Sequence, residues 1–139
     1  MMKLQMDSAT TLDARSWVVC LCADWCRACK DYGVVFSKMA QELAEKYPDS
    51  RFVWIDVEDS ADLVGDLDIE TFPTLLVGHD DGLNFLGAVT PQPEVLSRLL
   101  YSLLEPGARR MAHRPATQRI IDRLADLPEL WLQTELLNR

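Results

Sequence analysis

The sequence contains no apolar run long enough to span a bilayer, and its opening residues, Met1-Met2-Lys3-Leu4-Gln5-Met6-Asp7, lack the continuous apolar stretch of a secretory signal. No membrane association is expected, and the default address is the cytoplasm. Positive charge is also short, with 14 Lys and Arg against 22 Asp and Glu, for a formal net charge of −8. A chain this acidic repels a phosphate backbone, so nucleic acid is not the expected partner. Histidine is nearly missing: only His79 and His113 occur, and neither has a partner visible in the sequence. No bound metal and no organic cofactor are expected. What remains is a 139-residue chain of ordinary hydrophobic content, 48%, long enough for one domain with a sizeable core.

Cysteine, by contrast, is concentrated. All four cysteines, Cys20, Cys22, Cys26 and Cys29, fall within one short stretch. The apolar run 17–22 leads into Ala23-Asp24-Trp25-Cys26-Arg27-Ala28-Cys29-Lys30, which opens a long helical pattern. If the run is a strand, Cys26 lies in the first turn of the helix, where unpaired backbone N–H groups and the helix dipole favour a thiolate. Cys29, three residues on, falls on the same side of the turn, close enough to close and reopen a small disulfide ring. Half of a zinc knuckle has the same spacing, and an inert structural pair is a third reading. The strand before and the helix after favour redox chemistry. A close cysteine pair in a reducing compartment is also more often catalytic or metal-binding than a staple. Cys20 and Cys22, two apart on a strand, point to one face and read as small buried hydrophobes.

Periodicity predicts the other elements. Residues 3–6 suggest an edge strand and 11–15 a turn of helix, though neither pattern is sustained. Residues 17–22 are apolar on both faces, as in a central strand covered by helices. From 26 to 46 the positions Val35, Phe36, Met39, Leu43 and Tyr47 recur at helical spacing, and Pro48 stops the pattern. Strands follow at 51–57 and 74–77, separated by a short helix at 60–67 with Ser60 as N-cap. Residues 80–82 form a hairpin turn, 83–86 the returning strand, and Gly87 marks a place where a side chain does not fit. A helix over 94–104 turns Val95, Leu96, Leu99 and Leu103 inward, with Pro93 near its first turn. The order predicts an α/β fold, a mixed sheet flanked by helices.

The last stretch differs in composition. Residues 1–104 hold 8 basic and 17 acidic residues, whereas 105–139 hold 6 and 5. Residues 105–114 read as a linker, Pro115 as the start of a helix carrying Ile120, Ile121 and Leu124, and Pro128 as another carrying Leu130, Trp131, Thr134 and Leu137. Neither helix is stable alone in water. The expected division is therefore a domain over 1–104 and a C-terminal helical extension over 105–139, packed on the domain or on a second subunit in a homodimer.

The segment Trp25-Cys26-Arg27-Ala28-Cys29-Lys30, together with Thr71-Phe72-Pro73-Thr74, the Asp81-Gly82 turn and Gly87, resembles the thioredoxin family over roughly residues 3–104. The active-site stretch also resembles the C-terminal domain of the bacterial thiol:disulfide interchange reductase. The resemblance implies a thioredoxin-like fold, with Cys26 as nucleophile, Cys29 as resolving thiol and Pro73 as a cis proline facing them. It implies further that Trp25 shields the disulfide and that the Phe72 backbone pairs with an extended substrate. Two departures stand out. The buried Asp and the neighbouring Lys of the family appear here as Cys20 and Trp54, leaving Asp56 or Glu58 as substitute bases. Arg27-Ala28 replaces Gly-Pro and adds positive charge beside Cys26.

The function expected from this reading is thiol–disulfide exchange with protein disulfides through Cys26 and Cys29, in the cytoplasm. The electron donor would be a thioredoxin-reductase-like protein or glutathione. The competing reading is a thioredoxin-fold interaction module, chaperone-like or redox-sensing, whose tail helices bind a partner and whose cysteines turn over slowly.

Overall fold

Strand β1, Ser16–Cys22, carries the alternation that organises the molecule. Its side chains point in turn to two sheet faces. Val18, Cys20 and Cys22 enter one buried cluster, and Trp17, Val19 and Leu21 enter another. The computed structural model describes residues 15–23, 25–65, 69, 72–79, 82–90, 92–105 and 115–132. Expectations at 3–6, 11–14, 106–114, Thr71, the Asp80-Asp81 turn, Thr134 and Leu137 lie outside that set.

Four strands form one mixed sheet in the order β2-β1-β3-β4. β2 (Ser50–Asp56) runs parallel to β1, so a crossover must join them, and helix α1 (Arg27–Lys46) supplies it. β3 (Thr74–His79) is antiparallel to β1, and β4 (Gly82–Ala88) returns antiparallel to β3. The first sheet face is covered by α1, through Tyr32, Phe36, Ala40 and Leu43, and by α3 (Pro93–Leu104), through Leu96, Leu100 and Leu104.

The buried stripe of α3 differs from the predicted one. Val95 is 45% exposed, and the inward positions repeat every fourth residue from Leu96 because the sheet sits on that side. Helix α2 spans only Ala61–Val64. Gly65, at φ 60, ends it short of the predicted limit, and Ser60 occupies the N-cap position without a side-chain cap bond. His79, for which the sequence shows no partner, is half-buried and pairs through Nδ1 with Asn84 Oδ1.

The second face is closed chiefly by α4 (Pro115–Ala125), whose Ile120, Ile121 and Leu124 are buried with Trp17, Leu76 and Leu83. Ile121 needs a notch to sit so close, and Gly78 provides it. A Cβ there would meet Ile121 Cδ1 and the Gly82 carbonyl oxygen, each at 2.8 Å. Beyond α4 the predicted second helix is a single 3-10 turn, Pro128–Leu130. Extension of that turn is cut off because the next residues add to the sheet: Trp131 bridges Val53 on the outer edge of β2, and the Leu132 N–H donates to the Phe52 carbonyl at 2.8 Å. The Trp131 indole stacks edge-on against Trp17, with centroids 5.5 Å apart, donates Nε1–H to the Leu124 carbonyl, and lies under the Arg15 and Arg51 guanidinium groups.

Candidate active site

The C-terminal end of β1 and the N-terminus of α1 meet at Ala23–Cys26. The Cys26 N–H donates to the Ala23 carbonyl at 3.0 Å, tying the end of the strand to the start of the helix. Cys26 is the N-cap of α1, one position before the expected first turn, with extended backbone (φ −83°, ψ 118°), and its side chain makes no cap bond. An ideal cap would spend its side chain on the helix N–H groups; this one leaves the sulfur free for chemistry. No acidic residue occupies the first turn of α1, so nothing opposes the positive end of the helix dipole there. Arg27, exposed, and Ala28, half-buried, begin the helix.

Cys26 is partly exposed, whereas Cys29 is 2% exposed. An accessible sulfur beside a sheltered one is the arrangement that attack followed by resolution requires. Burial pushes the Cys29 thiol well above its ordinary range. A hydrogen bond with Cys22 adds to this, and a bond from the Ala23 backbone N–H opposes it.

Trp25 is 68% exposed and meets Phe72 edge-on, with ring centroids 5.7 Å apart. This contact brings the loop before β3 next to the Cys26 turn. The Phe72–Pro73 peptide bond is cis, as the resemblance implied. Pro73 is buried, and its carbonyl accepts from the Val89 N–H. Gly87 pairs with Leu75 in the β3–β4 ladder, and a Cβ there would lie 3.2 Å from the Phe85 ring.

Cys20 and Cys22 do share one face, with sulfurs 3.5 Å apart in a mutual hydrogen bond. That bond is the main cause that drives the Cys22 thiol far upward, and burial is the second. Tyr32, which the helical pattern alone did not single out, is fully buried one turn after Cys29. Among the described residues its hydroxyl has no hydrogen-bond partner, and it is held protonated first by burial and then by the proximity of Cys20 and Cys22. The missing clue was the 29-32-36 spacing, which continues the buried face of α1 back to the active cysteine.

Trp54 stands opposite Cys20 on β2 and packs edge-on against Phe36. A pocket of about 220 Å³ lies between β2 and α1, lined by Cys22, Ala23, Cys29, Lys30, Gly33, Trp54 and Asp56. Asp56 thus shares a cavity with Cys29. Its Oδ1 accepts from the Glu58 and Asp59 N–H groups at 2.8 and 3.1 Å. Glu58 is exposed and does not line the pocket. Among the described residues no group of three or more His, Cys, Asp or Glu is arranged to hold a metal ion.

The raised thiols make stability depend on pH. The unfolded chain ionises cysteine near pH 8.5, whereas the folded protein keeps Cys22 and Cys29 protonated to higher pH. Above that pH the unfolded state binds fewer protons, so the stability these thiols confer is whole below about 8.5 and drains as pH rises. Denaturant unfolding of the reduced protein at pH 7.5 and 10 should show a loss of roughly 1–2 kcal/mol per thiol. Cys22→Ala should lose correspondingly less; an equal loss would show that Cys22 is not held neutral.

A partly exposed thiol at a helix N-terminus, a buried thiol three residues on and a cis proline linked to them through the Trp25–Phe72 contact stand together at one end of a mixed sheet. The family model for thioredoxin matches residues 4–94. Thioredoxin-2 of Saccharomyces cerevisiae is 31% identical over 98 residues, covering 70% of this chain and 89% of the relative. The chain belongs to the thioredoxin family. Mitochondrial thioredoxin-3 of the same yeast is 34% identical over 61 residues, and that match covers 44% of this chain and 45% of the relative, so the chain spans about half of that protein. Among solved structures, the germline-specific thioredoxin Deadhead of Drosophila melanogaster superposes with a TM-score of 0.53 at 21% identity, over 69% of this chain and 88% of its own. Family membership supports thiol-based redox chemistry in general, and α4 lies beyond the matched residues.

Proposed function

We propose that the protein is a thiol–disulfide oxidoreductase that exchanges electrons with protein disulfides through Cys26 and Cys29. The observation that carries this reading is the asymmetry of the pair, an accessible sulfur at the helix N-cap and a sheltered one a turn behind it. The Cys26 thiolate attacks a substrate disulfide and releases one substrate thiol. Cys29 then attacks the Cys26 sulfur of the mixed disulfide, freeing the second substrate thiol and leaving Cys26–Cys29 oxidised. The second attack needs Cys29 to lose its proton, which burial resists. Asp56 is the carboxylate placed to receive it across the shared pocket. Trp25 and Phe72 offer apolar surface beside the nucleophile, and the backbone before Pro73 offers an edge to an extended substrate.

With dithiothreitol as electron source, the protein should accelerate insulin disulfide reduction by about tenfold or more over dithiothreitol alone. No acceleration would overturn this reading. The competing reading is an interaction or redox-sensing module whose tail helices bind a partner; the burial of Ile120, Ile121 and Leu124 within the chain leaves α4 less apolar surface to offer one.

A further inference from the structure

Four sulfurs stand in sequence behind the active turn, and the exchange reaction uses only two. Cys20 and Cys22 touch at 3.5 Å. Cys22 and Cys29 lie in the same buried cluster, and the Cys29 thiol is perturbed by both Cys22 and Cys26. Cys22 and Cys29 also wall the same pocket beside Trp54 and Asp56. All four are free thiols, and Cys20, Cys22 and Cys29 are buried. The resolving sulfur therefore has two cysteine neighbours: Cys26 toward the surface and Cys22 toward the sheet.

We propose that Cys22 is a third redox thiol, which takes Cys29 away from Cys26 and stores the oxidised state as an internal Cys22–Cys29 disulfide. This rests on the reading of Cys26 and Cys29 as the exchanging pair. The step is a thiol–disulfide exchange within one molecule: the Cys22 sulfur, as thiolate, attacks the Cys29 sulfur. The Cys22–Cys29 bond forms, the Cys26–Cys29 bond breaks, and Cys26 leaves with the electron pair as a thiolate. The proton given up by Cys22 goes through the pocket to solvent or returns to Cys26. Nothing is oxidised or reduced overall, so no external oxidant or reductant is consumed. The product is an oxidised protein with a lone reactive thiol at its surface, able to form a mixed disulfide with a partner but deprived of its resolving sulfur. Because only the Cys22 thiolate attacks and its burial disfavours that form, the exchange is slower than substrate turnover and matters when the protein stays oxidised.

Disulfide mapping tests this on the full chain. The reduced protein is treated with one equivalent of diamide, sampled over time, acid-quenched, alkylated with N-ethylmaleimide in denaturant and digested with trypsin without reductant. Cleavage after Arg15, Arg27 and Lys30 places Cys20, Cys22 and Cys26 in one peptide and Cys29 in another. Tandem fragmentation then shows which sulfur is bridged to Cys29. The expected result is an early Cys26–Cys29 bridge followed by a Cys22–Cys29 bridge with Cys26 alkylated. In Cys22→Ala, alkylation of Cys26 in the bridged protein should fall by about tenfold or more. Cys26→Ser should form the Cys22–Cys29 bridge directly. Persistence of Cys26–Cys29 alone in the parent, with no inner bridge in Cys26→Ser, overturns the proposal and leaves the exchange reading standing. A Cys29 bridged to neither sulfur overturns both.

Discussion

Cys26→Ser is expected to lower protein-disulfide turnover by about a thousandfold or more, because a serine hydroxyl is a far weaker nucleophile than a thiolate at neutral pH. Cys29→Ser should behave differently. Its accessible sulfur is intact, so attack proceeds once, and the mixed disulfide then accumulates because the sheltered partner that would release it is gone. Turnover is lost in both variants, but only Cys29→Ser should be recovered as a covalent adduct with substrate, released by reductant and visible as a mass increase. Equal adduct formation by the two variants would reverse or remove the assigned roles. Loss of the Cys26 sulfur should not unfold the protein, since Cys26 is partly exposed and its side chain makes no cap bond.

The second large effect is expected from the C-terminal segment. Removing residues 106–139 strips α4 from a sheet face built of Trp17, Val19, Leu21, Leu76 and Leu83, all at most 3% exposed in the intact protein. It also uncovers the edge of β2, where Trp131 and Leu132 now bond. An apolar sheet face left wet is incompatible with a stability of only about 5–15 kcal/mol, so the truncated chain should unfold or aggregate at temperatures the full chain survives. Leu124→Ala supplies a gentler version. It removes a fully buried side chain and should cost about 2–5 kcal/mol by denaturant unfolding while leaving the thiol site in place. A truncation that melted with the full chain, or a Leu124→Ala variant within a few tenths of a kcal/mol of the parent, would show that α4 does not close this face in solution. The family match ends at residue 94, so one of the two cores is completed by chain that the family pattern does not describe.

The sequence by itself determined most of the framework, for a physical reason visible in β1. An uninterrupted apolar run followed at once by a helical period admits few arrangements other than a central strand feeding a covering helix, and the cysteine pair falls at their junction wherever the exact helix boundary lies. Pro48, the glycine that opens β4 and the stripe at Ile120, Ile121 and Leu124 were equally legible, because turns and periodicity are local properties of the chain. Contacts between distant segments were not. Val95 was assigned inward because a helix periodicity fixes a stripe only to within a residue or so; the position of the sheet chose Leu96, Leu100 and Leu104 instead. The predicted helix after Pro128 gave way to a bridge on β2, since an unpaired strand edge across the molecule offered the backbone of Trp131 and Leu132 partners no local pattern reveals. At the site, spacing alone placed Cys20 and Cys22 on one face, but not the row they form with Cys29 and Cys26, the pocket Cys29 shares with Asp56, or the unpartnered Tyr32 hydroxyl beneath them. Those depend on how closely α1 settles against β1 and β2, and side-chain packing across that interface sets the distance.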